Sequence, residues 1–145
     1  MLYKKNLQDI TARLLDPDTN FAGLHKAVGD LYELFQSVSK QNLEVSRHRE
    51  SMETAGGKAI GPLWAAMCIR DTLRTKSFLR GLYMAILQMQ EKKRGAHPIH
   101  VLYAGTGPFA ALALPLITFF RPEQVQFTFL EINPLSVRSL QKTIE

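Results

Sequence analysis

The stretch Ile99-His100-Val101-Leu102-Tyr103-Ala104-Gly105-Thr106-Gly107-Pro108-Phe109-Ala110 decides how the rest of the chain is read. A short, mostly apolar run stops abruptly at a glycine, the mark of a buried strand that turns sharply at its end. Gly105 supplies backbone angles that other residues reach only at a cost, and Gly107, without a side chain, lets a ligand lie against the main chain. Residues 109–120 are almost wholly apolar and predict a helix, kinked or ended early by Pro115. Residues 125–130 then alternate β-formers and close on Glu131, 24 residues beyond Gly107. Asn133-Pro134 reads as an N-cap followed by a first-turn proline, opening a last helix. A β-α-β-α order implies parallel strands.

Upstream the period is helical. Leu7, Ile10, Leu14 and Leu15 recur at helical spacing before the break at Asp16-Pro17-Asp18. Asn20 caps a second helix with Phe21, Leu24, Val28, Leu31, Phe35 and Val38 on one face. Residues 40–57 are polar and end in Gly56-Gly57, which reads as a loop or weak helix before a hinge. Pro62 opens a helix carrying Trp64, Met67, Cys68 and Ile69. A longer helix from about Thr75 turns Phe78, Leu82, Ile86 and Met89 inward, and ends at Lys92-Lys93-Arg94 with Gly95 as its C-cap. Trp64, Met67, Met84 and Met89 are expected in the core, and Cys68 as a small buried hydrophobe. The expected class is α/β. A helical N-terminal region covers residues 1–58. An incomplete Rossmann-like part with parallel strands covers 59–145, with lead-in helices over 59–95 and the β-α-β-α unit over 99–145.

At 145 residues, 46% hydrophobic and 21% charged, the chain has the composition of one globular domain or part of a larger one. The 12-residue apolar run holds a proline and is too short to span a bilayer. The basic pair Lys4-Lys5 is followed by no apolar segment, which argues against a secretory signal. One cysteine makes no internal disulfide and fits a reducing cytoplasm. Eighteen basic against thirteen acidic residues give a net charge of +5, enough for weak attraction to nucleic acid. The charges are scattered as Arg47/Arg49, Arg70/Arg74/Lys76/Arg80 and Lys92-Lys93-Arg94, with no interleaved aromatics. They read as solvated helix faces, so nucleic acid is not the expected partner. His25, His48, His97 and His100 have no metal-ligand spacing.

Glu131, at the carboxyl end of the second strand, is placed to accept hydrogen bonds from both ribose hydroxyls of a nucleoside. The glycine string also fits the form of a dinucleotide site. A dinucleotide, however, seats its pyrophosphate on free N–H groups at a helix start, where Pro108 has none and bulky Phe109 follows. S-adenosylmethionine (SAM) carries no phosphate and needs only the close backbone and the ribose acid. SAM is therefore the expected ligand, with Gly105, Thr106, Gly107 and Glu131 around it. The bland alternative is a turn packed tightly for its own sake.

A second stretch bears on this choice. Asp71-Thr72-Leu73-Arg74-Thr75, followed by Phe78 and Ile86 and then the strand, resembles the helical lead-in of protein arginine methyltransferases, which belong to the class I SAM-dependent enzymes. Gly105-Thr106-Gly107-Pro108-Phe109 and Glu131-Ile132-Asn133-Pro134 look like one branch of that family. The resemblance covers about residues 60–140, the N-terminal half of that catalytic core. It implies that Arg74 grips the SAM carboxylate, that Gly105 and Gly107 form the floor, and that Glu131 holds the ribose. A guanidinium matches a carboxylate in two parallel hydrogen bonds. From the local sequence alone, Arg74 is equally a solvated helix residue or a structural partner of Asp71. Tyr103 stands where most class I methyltransferases carry an acid, and either reaches the ligand or packs. Ala65 or Trp64 stands where the family has a histidine, and its tyrosine-rich helix has no match in residues 20–50. The paired glutamates that bind the substrate guanidinium have no match either, so neither the methyl acceptor nor a catalytic base is assigned.

The expected function is the SAM-binding portion of a methyltransferase. The alternative is a non-catalytic interaction module that keeps a degenerate Rossmann-like half. Two parallel strands leave open edges, so the expected assembly is a homodimer that continues the sheet, or further strands from a C-terminal part.

Overall fold

The computed structural model describes residues 2–40, 43, 47, 49–93 and 97–145. Helices α1 (Leu2–Leu15) and α2 (Phe21–Ser39) pack together through residues spaced three and four apart. Leu7, Ile10 and Leu14 are buried on α1, and Leu24, Val28, Leu31 and Phe35 on α2. The Asn20 side chain accepts the Gly23 N–H at 2.8 Å, the expected cap. Phe21 lies outside the buried stripe and stacks on His25 instead. Arg13 ties the two helices by reaching Asp30 at 2.7 Å. Burial acts to raise the Asp30 carboxyl pKa, but hydrogen bonds from Arg13 and Lys26 outweigh it and hold it below the ordinary value.

Residues 52–59 correct the reading of residues 40–57 as a loop or weak helix. They form an antiparallel hairpin of β1 (Met52–Thr54) and β2 (Gly57–Ala59). Three-residue strands are too short to show a period, and none of these six residues is buried.

Helix α3 (Pro62–Met67) leads through a 3-10 turn at residues 68–70 into α4 (Thr72–Lys93). The latter begins three residues earlier than its apolar pattern indicates, because the Asp71 carboxylate accepts the Arg74 backbone N–H at 3.1 Å and caps it. The expected C-cap Gly95 lies outside the described residues. The buried row of α4 is Thr72, Thr75, Leu79 and Ile86. Phe78 (54% exposed) and Met89 therefore do not point inward, Leu82 is only partly covered, and Trp64, Met67, Met84 and Cys68 are exposed rather than core. Two threonines carry the stripe that hydrophobicity alone does not reveal. Thr75 is satisfied in the interior by donating to the Ile69 carbonyl at 2.8 Å.

Strands β3 (Ile99–Ala104) and β4 (Val125–Leu130) pair in parallel, in the register Ile99–Val125 through Ala104–Leu130. The fold is thus mixed helix and strand with a parallel two-stranded sheet, as an α/β reading requires. The expectation of a buried strand holds for β3 only in part, since its exposure alternates and Leu102 is 64% exposed. The expected helix over residues 109–120 is also absent. The chain there makes turns, with Ala110 in the left-handed region at φ +43°, before the single helical turn α5 (Leu114–Ile117). Pro115 sits in the first turn of α5 and does not end a longer helix. A helix running through this stretch would need a Pro115 N–H for residue 111, and proline has none. Helix α6 (Pro134–Ile144) follows, its cap formed by Asn133 accepting the Leu135 N–H at 3.0 Å.

Core residues from both expected regions join in one cluster, with Leu14, Leu31 and Phe35 together with Leu63, Leu79, Phe109 and Leu140. Phe109 is its bridge, stacked on Phe35 at 5.5 Å and edge-on to Tyr32 at 6.4 Å. Among the described residues, no helix is long and apolar enough to cross a membrane.

Candidate functional site

The turn after β3 is built by three interactions with the end of β4. Gly105 and Thr106 donate their N–H groups to the Leu130 carbonyl, at 2.8 and 3.3 Å. Gly107 donates to Glu131 Oε2 at 2.7 Å, while Glu131 Oε1 accepts the N–H groups of Ile132 and Asn133 at 2.7 and 2.8 Å. One carboxylate thereby locks the two strand ends together. Thr106 is buried and its hydroxyl bonds to the Gly107 carbonyl.

Both glycines need their conformation, but for different ends. Gly105 has φ +71°, and a Cβ there would meet nothing within 4 Å. Gly107 has φ +63°, and its Cβ would come within 3.2 Å of the Ala65 Cβ on α3. The open face of the turn therefore belongs to Gly105, and Gly107 is bare so that α3 can approach. Gly107→Ala is expected to destabilise the fold more than Gly105→Ala, by the roughly 1–2 kcal/mol of a left-handed alanine plus the clash with Ala65. Gly105→Ala shows the backbone cost alone, yet its methyl narrows the open face. Thermal melts of the two variants should rank them in that order, and a reversed order would contradict this assignment.

A hollow of about 110 Å³ lies over the turn and is lined by Gly105, Thr106, Gly107, Tyr103, Arg74 and Cys68, among others. Arg74 and the three turn residues are thus brought together as expected, with Glu131 directly behind them through its bond to Gly107. The Arg74 guanidinium donates to the Cys68 carbonyl at 3.4 Å and lies over the Phe78 ring at 5.3 Å. No carboxylate lies within 4.0 Å of it among the described residues. Asp71 spends its side chain on the helix cap, so the expected alternative of an Asp71–Arg74 pair does not form. Tyr103 packs edge-on to Phe129 at 6.4 Å and faces the hollow at the same time. Burial pushes its hydroxyl pKa up, with Arg74 opposing and the Cys68 and Glu131 charges adding to the shift.

Sequence reasoning did not point to Cys68 as a lining residue. Cys68 lies in the 3-10 turn before α4, which the Asp71 N–H closes by donating to the Cys68 carbonyl at 3.3 Å. Among the described residues, no cluster of His, Cys, Asp or Glu forms a metal centre. No protein-family model, curated protein or solved structure matches the chain.

Size and donor chemistry define what fits. At about 110 Å³ the hollow is below the ~300 Å³ of ordinary small-molecule sites, so it takes one end of a ligand and leaves the remainder over the open turn. A carboxylate has about four acceptor positions, and Glu131 uses three on backbone. It has room for one ribose hydroxyl, not the two expected. The amide-lined helix start that a pyrophosphate needs is missing altogether, since turns follow Gly107 and the Gly107 N–H is already taken.

Proposed function

We propose that the chain is the SAM-binding portion of a methyltransferase, built on an incomplete Rossmann-like unit. The observation that carries this reading is a guanidinium, Arg74, with no carboxylate partner among the described residues, on the same small hollow as the bare face of Gly105. That pairing suits a carboxylate-bearing tail with the rest of the ligand laid across the turn. Glu131, fixed by Gly107, lies next in line for a ribose hydroxyl. SAM supplies an electrophilic methyl group for in-line displacement by an acceptor. The chain's own part is to anchor and orient the cofactor, and positioning of this kind is where transfer rate originates.

Calorimetric titration with SAM, its demethylated product and NAD tests the reading. Micromolar binding of the first two and none of NAD is expected. Arg74→Ala should weaken SAM by about 10- to 100-fold, the worth of hydrogen bonds to a charged group, without lowering the melting temperature. Bound SAM should also slow alkylation of Cys68, the chain's single thiol. Silence toward all three ligands would overturn the proposal in favour of a non-catalytic interaction module. The observation on that side is that Glu131 spends three of its acceptor positions on backbone N–H groups that close the turn.

A further inference from the structure

Val101, Leu102 and Tyr103 line a groove of about 470 Å³, facing Phe78, Gly81 and Leu82 of α4. Consecutive strand residues point to opposite faces of a sheet, so a groove touching three in a row must run along the strand's edge. It is the edge that β4 leaves free. Ile99 and Gly105 donate their N–H groups to carbonyls of Gln124 and Leu130. By the two-residue repeat, the backbone groups of His100, Leu102 and Ala104 face the other way. Among the described residues no strand pairs with them.

We infer that this edge pairs with β3 of a second copy of the chain. The two strands run antiparallel, giving a four-stranded sheet ordered β4-β3-β3-β4 about a two-fold axis. Three observations select this occupant. A row of unpaired N–H and C=O groups calls for an extended peptide that offers both. Among the described residues none that lines the groove is charged, which suits a peptide that is itself uncharged. β3 itself meets that demand, and it lacks the Lys, Asp, Glu or Pro with which edge strands block pairing. A shared edge related by a two-fold axis closes on itself and stops at two copies. No residue of β4 lines this groove, so it singles out the edge of β3. Pairing would cover Leu102, otherwise 64% exposed. The inference does not depend on SAM binding.

Light scattering across the micromolar range, combined with hydrogen exchange, tests it. The expected mass is twice the 16.4 kDa of one chain, with the amides of His100, Leu102 and Ala104 slowed as the dimer forms. Leu102→Lys should give a monomer with an unchanged circular dichroism spectrum, because its side chain is exposed. Phe78→Glu, which charges the groove from α4 without touching the strand, should do the same should Leu102→Lys not fold. A monomer at every concentration overturns the inference. So does a dimer that survives both substitutions with those amides exchanging freely, or protection of the amides without a doubled mass.

Discussion

Replacing Phe109 with alanine is expected to lower the unfolding free energy by about 3–5 kcal/mol, the usual cost of emptying a phenylalanine site in a core. Phe109 is 1% exposed and rests on two aromatic rings of α2. The loss combines the transfer term, the cavity and the aromatic contacts with Phe35 and Tyr32. The position also matters, because Phe109 is the second residue after Gly107. It pins the glycine turn to the helical N-terminal layer, so a cavity there should loosen the turn as well as the core. Urea denaturation should show a large fall in midpoint with little change in slope. The control is Phe21→Ala, at a phenylalanine exposed on the same helix that Phe109 packs against, which should stay within about 0.5 kcal/mol of the parent. Comparable effects at the two positions would mean that Phe109 does not bridge the layers.

The reason Phe109 was legible only as part of an apolar helix is physical. A run of alanine, leucine and phenylalanine reports burial, and burial is what the structure shows there. It does not report backbone form. The left-handed Ala110 and Pro115 break residues 109–120 into turns, and of the two only Pro115 announces itself in the sequence. The Asn20 and Asn133 caps and the glycine at the end of β3 were legible in the sequence, whereas the Asp71 cap, an equally local side-chain hydrogen bond, was not. Strands β3 and β4 were legible, the first from its apolar run and the second from its alternation, whereas β1 and β2 were not.

Helix α4 shows the opposite case. Its buried row is carried partly by Thr72 and Thr75, so the visible apolar residues Phe78, Leu82 and Met89 gave a face displaced from the true one. Trp64, Met67 and Met84 misled for a related reason. Large apolar side chains mark surfaces that must be covered, but a sequence does not say whether the cover comes from the same core. At the candidate site, residue types and spacing pointed to residues 105–107 and the resemblance added Arg74, and all four line one hollow. Those signals were not enough to divide the labour between the two glycines, which depends on where α3 packs.

Glu131→Ala is the second substitution with a large expected effect, and it separates architecture from ligand binding. Three N–H groups converge on the Glu131 carboxylate, from Gly107, Ile132 and Asn133, all at 2.7–2.8 Å. Hydrogen bonds to a charged acceptor contribute about 1.5–3 kcal/mol each in favourable surroundings. The three share one partly exposed group, and water can replace the acceptor at exposed Ile132, so the expected loss is about 2–3 kcal/mol in total. Glu131→Gln should fall between, since its amide oxygen still accepts but its NH2 opposes the Gly107 N–H. Arg74→Ala provides the contrast, because the guanidinium is exposed and makes no ion pair among the described residues. It should leave the melting temperature unchanged and weaken SAM, whereas Glu131→Ala should lower both stability and affinity. Were Glu131→Ala as stable as the parent, the carboxylate would not be what closes the turn, and its hydrogen bonds would be available to a ligand after all. A stable Glu131→Ala that also bound SAM normally would remove Glu131 from both roles and leave Arg74 and Gly105 as the site's anchors.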